Sequence, residues 1–310
     1  MRPRDAWISS AAVRHRVPPD VLLLVTVVFW SFNFTVVKYA LTHGWEPLAY
    51  SSVRFAIGAA LFSGFTVARE GTLRVQRRDV TLLVVAAMLG IWLNQVSFSY
   101  SVRLTTASTV ALLFGTLPIF VALVSRAFGL EILSPRHWLA AAVSFGGVAL
   151  VAAGAESGFV GNLGGVTLGL IASATWAAYS VAMGPLMTRY SPYRISAFVL
   201  IVGSIPLLIT AAHQIITQDW ANLSALAWAC FIYSLFFSLV FTNIMWFTAI
   251  DRVGAARSSL YANLQPFLGA VWALLILSET MTFIQVVGGV VIAGGIILAR
   301  GQKPPVASPD

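Results

Sequence analysis

Trp30, Asn33, Trp176 and Tyr179 have the residue types and spacing to hold a solute. Each lies near the middle of a long apolar run, where tryptophan is away from its usual place at a membrane–water boundary. On a helix Asn33 stands about 60° from Trp30 with Val37 between them, and Tyr179 stands about 60° from Trp176 with Met183 between them. Both runs thus present one stripe: an aromatic ring, a polar group one turn later, then an apolar side chain. Indole and phenol faces beside an amide suit non-covalent recognition of a small amphipathic molecule. Tyr261 and Gln265 add a phenol and an amide on one face of a later run, shared with Ser258, while Asn263 points away. Asn33, like Asn94, Gln95 and Asn243, could equally bridge two helices, since polar side chains are ordinary glue between spans.

Two cations join this set. Lys38 lies about four residues from the end of its run, close enough to snorkel, at the edge of the Trp30 stripe. Its partner is either a solute carboxylate or Glu46 in the adjoining loop. Arg54 lies about seven residues into the next run, where anion attraction or a carbonyl contact would occupy it. No acidic residue falls inside any apolar run, and His15, His43, His137 and His213 are peripheral. A proton relay or a site for multivalent cations would need a buried carboxylate, so passive, gradient-driven movement is expected. No Walker loop, HExxH or G-x-S-x-G pattern is present, so no enzyme activity, cofactor or metal is expected.

The elements that must position these residues are membrane spans. Of 310 residues, 58% are hydrophobic and 10% charged, and mean hydropathy is +0.85. Soluble domains carry about 25% charged residues, so a polytopic all-α membrane protein is expected, with the lipid bilayer as its main partner. The net charge of +8 is spread over short loops, which excludes a nucleic-acid face. The one cysteine, Cys230, can form no intrachain disulfide. Spanning needs about 20 apolar residues, which predicts ten spans near 20–42, 47–68, 79–101, 105–126, 136–154, 161–187, 193–213, 224–248, 255–277 and 282–299. The first of these is read as a retained span, because no small-residue cleavage site ends it. Sixteen of the 19 basic residues then fall on one side, which predicts that both termini are cytoplasmic.

The second half echoes the first. Ala107 falls on Ala255, Leu112 on Leu260, Pro118 on Pro266, Ala122 on Ala270 and Glu131 on Glu279, all at one shift, and Gly146-Gly147 fall on Gly294-Gly295. Trp30 falls on Trp176 at nearly the same shift. With five spans per copy the second copy enters the membrane from the opposite face, an inverted-topology repeat with its solute site near mid-membrane. The expected domains are a tail over 1–19, a five-helix repeat over 20–154, a linker over 155–160, a second repeat over 161–300 and a tail over 301–310. Pro118 and Pro266 each remove a mid-span backbone bond and are read as hinges or static kinks. Glu131 and Glu279 are expected to cap short loops. Gly165 with Gly169, Ala142 with Gly146, and Gly289 with Ala293 are expected to let helices approach closely, within a monomer or at a weak homodimer contact.

The stretch "FWSFNFTVVKYA", from Phe29 to Ala40, resembles the first-span motif of the EamA-type transporters of the drug/metabolite transporter superfamily. The Pro118-to-Glu131 and Pro266-to-Glu279 stretches resemble that family's end-of-repeat pattern. The likeness implies ten helices in two inverted repeats, a bacterial-type inner membrane and export of small metabolites. Within the family the chain looks most like exporters of aromatic amino acids, which implies a neutral or aromatic amino acid as the small-molecule substrate. It departs from the motif where Gly184 stands in the second repeat opposite Lys38. Two other readings stay open: a phosphorylated-sugar or nucleotide-sugar exchanger that uses Lys38 and Arg54 as anion clamps, and a membrane-embedded enzyme or receptor.

Overall fold

The computed structural model describes residues 17–129, 135–154, 158–253 and 261–299; the expected tails for the most part, the start of the linker, Glu131 and Ser258 lie outside them. The described residues form helices and no strand. In chain order these are α1 (Pro19–Thr42), α2 (Pro47–Glu70), α3 (Arg77–Leu104), α4 (Ala107–Phe114), α5 (Leu117–Ala127) and α6 (Pro135–Ala153). The second half supplies α7 (Gly158–Met187), α8 (Pro192–Thr217), α9 (Ala225–Ala249), α10 (Gln265–Leu277) and α11 (Phe283–Ala299). Helical geometry runs on past α9 to Val253.

Local chemistry sets the boundaries. Proline opens α1, α2 and α8, at the position where its missing N–H costs nothing. Thr106, Ser191 and Ser224 cap α4, α8 and α9, each accepting a backbone N–H three residues on. Gly71, at φ 73°, ends α2 in the left-handed conformation that glycine adopts without strain.

Six helices, α1, α2, α3, α7, α8 and α9, are each long and apolar enough to cross a bilayer. The expected span over 105–126 is broken: α4 and α5 meet at a 40° bend. Pro118 therefore sits at the start of α5, after the break at Gly115 and Thr116, and not inside a continuous helix. Pro266 likewise stands in the first turn of α10, after a turn at Asn263 and Leu264. A proline cannot donate to the preceding turn, so the helix restarts there. Three shorter apolar helices, over Trp138–Ala153, Gln265–Leu277 and Phe283–Leu298, complete the set.

Two helices carry an internal π-helical segment, Met88–Leu93 in α3 and Ser234–Phe241 in α9. The shift that carries Trp30 onto Trp176 also carries Met88 onto Ser234. Such segments cost regular hydrogen bonding and recur at functional sites. Their repetition at one place in both halves marks them as part of the fold.

The two halves interleave. α1 packs on α9 and α10, α2 on α8, α3 on α7, and α6 on α11. The last contact is close because Gly147 and Gly288 face each other: a Cβ on either would stand 2.7 Å from the other's carbonyl oxygen. Gly146, expected to allow a close contact within the monomer or at a homodimer, has open space around it, so within the chain the close face is one residue further along. Gly165 and Gly169 do meet neighbours, namely Leu104 and Thr105, and Ser101 and Leu113. At one end of the bundle, Trp45 is buried among Tyr50, Trp220, Trp228 and Phe231, with ring centroids 5.0–5.5 Å away. At the other end, charged groups tie the halves together. Asp79 pairs with Arg189 at 3.0 Å and accepts from the Tyr190 hydroxyl at 2.6 Å. Glu70 accepts from Arg194 at 3.0 Å and from Ser191.

Candidate functional site

Between the halves lies a cavity of about 150 Å³. Space on this order accepts a solute the size of a benzene ring. Trp30 and Asn33 of α1 and Trp176 and Tyr179 of α7 all line it, as does Gln265 at the start of α10. The third residues of the two stripes, Val37 and Met183, are instead buried in the packing, at 1% and 3% exposure, and close the stripe at its far end.

Each lining side chain is held in place. The Trp30 indole N–H donates to the Ser238 carbonyl at 3.0 Å, and its ring lies 5.1 Å from that of Trp246. Ser238 belongs to the π-helical segment of α9, and its carbonyl also accepts from Thr242 Oγ1 at 2.6 Å. The Trp176 and Tyr179 rings pack at 5.2 Å. Tyr179 in turn lies against Gly90, in the π-helical segment of α3, where any Cβ would collide with the ring. Asn33 accepts from Ser234 Oγ at 2.6 Å, and Ser234 accepts from the Tyr50 hydroxyl at 2.6 Å. This fixes the Asn33 carbonyl and turns its amide N–H₂ away from that chain.

Arg54 also lines the cavity, 4% exposed. Its Nη2 donates to Gln95 Oε1 at 3.0 Å, Gln95 donates to Asn94 Oδ1 at 3.0 Å, and Asn94 donates to the Ala172 carbonyl at 2.7 Å. The relay joins α2 and α3 to α7. Asn94 and Gln95 thus both bridge helices and line the cavity, whereas Asn243 lines it while donating to the Leu239 carbonyl of its own helix.

Lys38 and Tyr261 are not brought to the cavity. Lys38 Nζ donates to the carbonyls of Val102 and Thr105, at 2.9 and 2.5 Å, where α3 ends and its last carbonyls lack helical donors. Glu46, its expected alternative partner, is exposed. The Tyr261 hydroxyl donates to Asp20 at 2.8 Å. The shared face expected for Tyr261 and Gln265 assumed an unbroken helix, and the turn before Pro266 rotates them apart. Glu279 accepts from the N–H groups of Ala107 and Ser108, at 2.8 and 2.9 Å, capping α4 from the other half of the chain. The helical stripes do not pick out Phe34, Phe55, Phe98 and Phe114, which make the rest of the aromatic wall. Among so many apolar residues, nothing in their spacing singles them out.

The comparison with known families places this architecture. The EamA-like transporter family model matches residues 18–153 and matches again over 163–301. The chain belongs to the EamA-like transporter family. Its two matched segments are separated only by residues 154–162, the connection after α6 and the first turn of α7, so the family unit occurs once in each half. The relatives of this EamA chain are distant but full-length. The "Uncharacterized transporter YyaM" of Bacillus subtilis is 22% identical over 285 residues, 91% of this chain and 93% of the relative. A "Probable terminal-alkyne amino-acid exporter" of Streptantibioticus cattleyicolor is 25% identical over 295 residues, covering 93% and 96%. A "Probable amino-acid metabolite efflux pump" of Escherichia coli is 24% identical over 290 residues, covering 90% and 93%. A solved crystal structure aligns with a TM-score of 0.63 at 16% identity, covering 91% of this chain and 96% of the other, which supports the fold alone.

Proposed function

We propose that this membrane transporter is a facilitative exporter of small amphipathic metabolites, with aromatic and other neutral amino acids as its substrates. The observation that carries the reading is that Trp30 and Trp176, related by the internal repeat, both wall one cavity between the halves, with Asn33 and Tyr179 beside them. Ring-sized space among aromatic faces favours a solute with an apolar body. Two of the relatives bear names that refer to amino-acid export. Lys38 and Tyr261 drop out of the proposed binding set; Trp30, Asn33, Trp176, Tyr179 and Gln265 stay in it.

In this reading the bent pair α4–α5 and the shorter helices α6, α10 and α11 are spans too, which gives ten helices as two inverted five-helix repeats over 20–154 and 161–300. Both termini are cytoplasmic, the membrane is the bacterial-type inner membrane, and the working unit is a monomer or a weak homodimer. Alternating access exposes the cavity to each face in turn, with the breaks before Pro118 and Pro266 as the flexing points.

Counterflow in proteoliposomes tests it. Vesicles loaded with unlabelled phenylalanine or tryptophan should accumulate the labelled amino acid transiently, unaffected by collapse of a proton gradient. Absence of exchange for any small solute would overturn transport itself, and exchange of phosphorylated or nucleotide sugars alone would replace the substrate class.

A further inference from the structure

The Arg54 guanidinium has five N–H donors; two uncharged groups, the Gln95 amide oxygen and the Tyr50 hydroxyl, are its side-chain hydrogen-bond partners. Among the described residues its buried Nε has no acceptor. The nearest rings, Phe55 and Tyr50, have centroids 5.0 and 5.4 Å from the guanidinium carbon. Among the described residues no carboxylate pairs with it. The two ion pairs, Asp79 with Arg189 and Glu70 with Arg194, sit at one end of the bundle, and no acidic residue lines the cavity. Gln95 cannot turn to offer more, because its amide N–H₂ is committed to Asn94. A charged residue at a helix centre in a membrane is unfavourable by roughly 2.5–3.5 kcal/mol on insertion scales and is held for a function with a partner. Everything fixed around Arg54 orients it; nothing fixed neutralises it.

We propose that Arg54 binds the carboxylate of the transported solute, so that the cavity requires one anionic head on a small apolar body and rejects analogues that lack it. This rests on the reading of the cavity as the transport site. A planar guanidinium with free donors matches a carboxylate in fork geometry. The aromatic wall takes the body of the solute. The aromatic wall and the single lining cation select a monocarboxylate over a sugar phosphate, which would want several cations and hydroxyl partners. With no acid in the wall, the ammonium of an amino acid is left to amide and carbonyl oxygens, so the carboxylate governs affinity and the amine does not.

The test uses the purified full chain in detergent, with thermal stabilisation as the binding readout. Four probes are titrated: L-phenylalanine, 3-phenylpropionate, phenethylamine and glucose 6-phosphate. The first two should stabilise the protein and phenethylamine should not. Arg54→Gln should weaken 3-phenylpropionate on the order of 10- to 100-fold, the scale of a charge-assisted bond, and Arg54→Lys should retain part of the affinity. Gln95→Glu leaves Arg54 in place but gives it an internal carboxylate, and should abolish the carboxylate requirement. This variant separates loss of the site from loss of the fold. Equal stabilisation by phenethylamine and 3-phenylpropionate would overturn the proposal. So would unchanged carboxylate affinity in both Arg54→Gln and Gln95→Glu, or tighter binding of glucose 6-phosphate than of either monocarboxylate. Arg54-dependent binding of 3-phenylpropionate in a protein that exchanges no amino acid would sink the amino-acid reading and leave the carboxylate site standing.

Discussion

Gly90→Ala is the smallest change that should reshape the cavity. A Cβ at position 90 would stand 2.7 Å from the Cβ of Tyr179 and would also meet the ring. Ordinary contact begins near 3.4 Å, so the two helices must part by roughly 1 Å, a change that packed interiors resist. Ring rotation cannot relieve a contact to Cβ; α7 itself has to move away from α3. Overpacking of this kind destabilises by about 1–3 kcal/mol. The displaced helix carries Trp176 with it, because Trp176 and Tyr179 pack together. The wall of α7 then separates from that of α3, which holds Ile91, Asn94 and Gln95. Phenylalanine affinity should fall on the order of tenfold, equivalent to about 1.4 kcal/mol. Thermal melting with and without phenylalanine reads both effects. A double-mutant cycle sharpens the mechanism. Tyr179→Ala removes the ring but keeps the Cβ, so Gly90→Ala should remain destabilising in that background, whereas Tyr179→Gly should accept it. If Gly90→Ala melts and binds phenylalanine like the parent protein, the close approach of α3 and α7 does not shape the site.

Two further outcomes follow from the contacts described. Lys38→Met should cost about 1.5–3 kcal/mol of stability, since it strips a charged donor from two carbonyls at the end of α3. It should leave phenylalanine affinity unchanged; weaker binding at unchanged melting temperature would return Lys38 to the solute path. Asp79→Asn should loosen the charged end of the bundle by removing the pair with Arg189. In a Cys230→Ser background, a cysteine introduced at Leu200, in the cavity wall, should then react faster with a maleimide added from that side. Equal labelling rates would show that this contact does not hold the end closed.

The helices were legible because apolar runs and proline punctuation act locally. Pro47, Pro192 and the apolar stretch after Pro19 place helix starts within a residue or two of the expected spans. Pro118 announced a break in its span, and the internal repeat anticipated the two matched family copies. Trp30, Asn33, Trp176 and Tyr179, on which the repeat and the helical stripe agreed, all line the cavity. What failed depends on distant or irregular structure. Nothing marks the π-helical segments in composition, and the bond from Trp30 to the Ser238 carbonyl joins residues 208 positions apart. Arg54 and Gln95 lie 41 residues apart, and their pairing exists only once α2 meets α3. Tyr261 lies off the cavity because the turn at Asn263 and Leu264 interrupts the helix it was expected to share with Gln265.

The two ends of the bundle are closed by unlike materials. Trp45, wedged among Tyr50, Trp220, Trp228 and Phe231, seals one end with apolar rings, while Asp79, Arg189, Glu70 and Arg194 seal the other with charge. Parting aromatic rings exposes apolar surface and so raises heat capacity, which bends the temperature dependence of that step. Parting ion pairs carries little of that signature but weakens with added salt. If transport alternates between the two ends, its two half-cycles answer to different variables. Ionic strength should speed the opening of one side and leave the other untouched, and a curved Eyring plot should belong to the aromatic side alone.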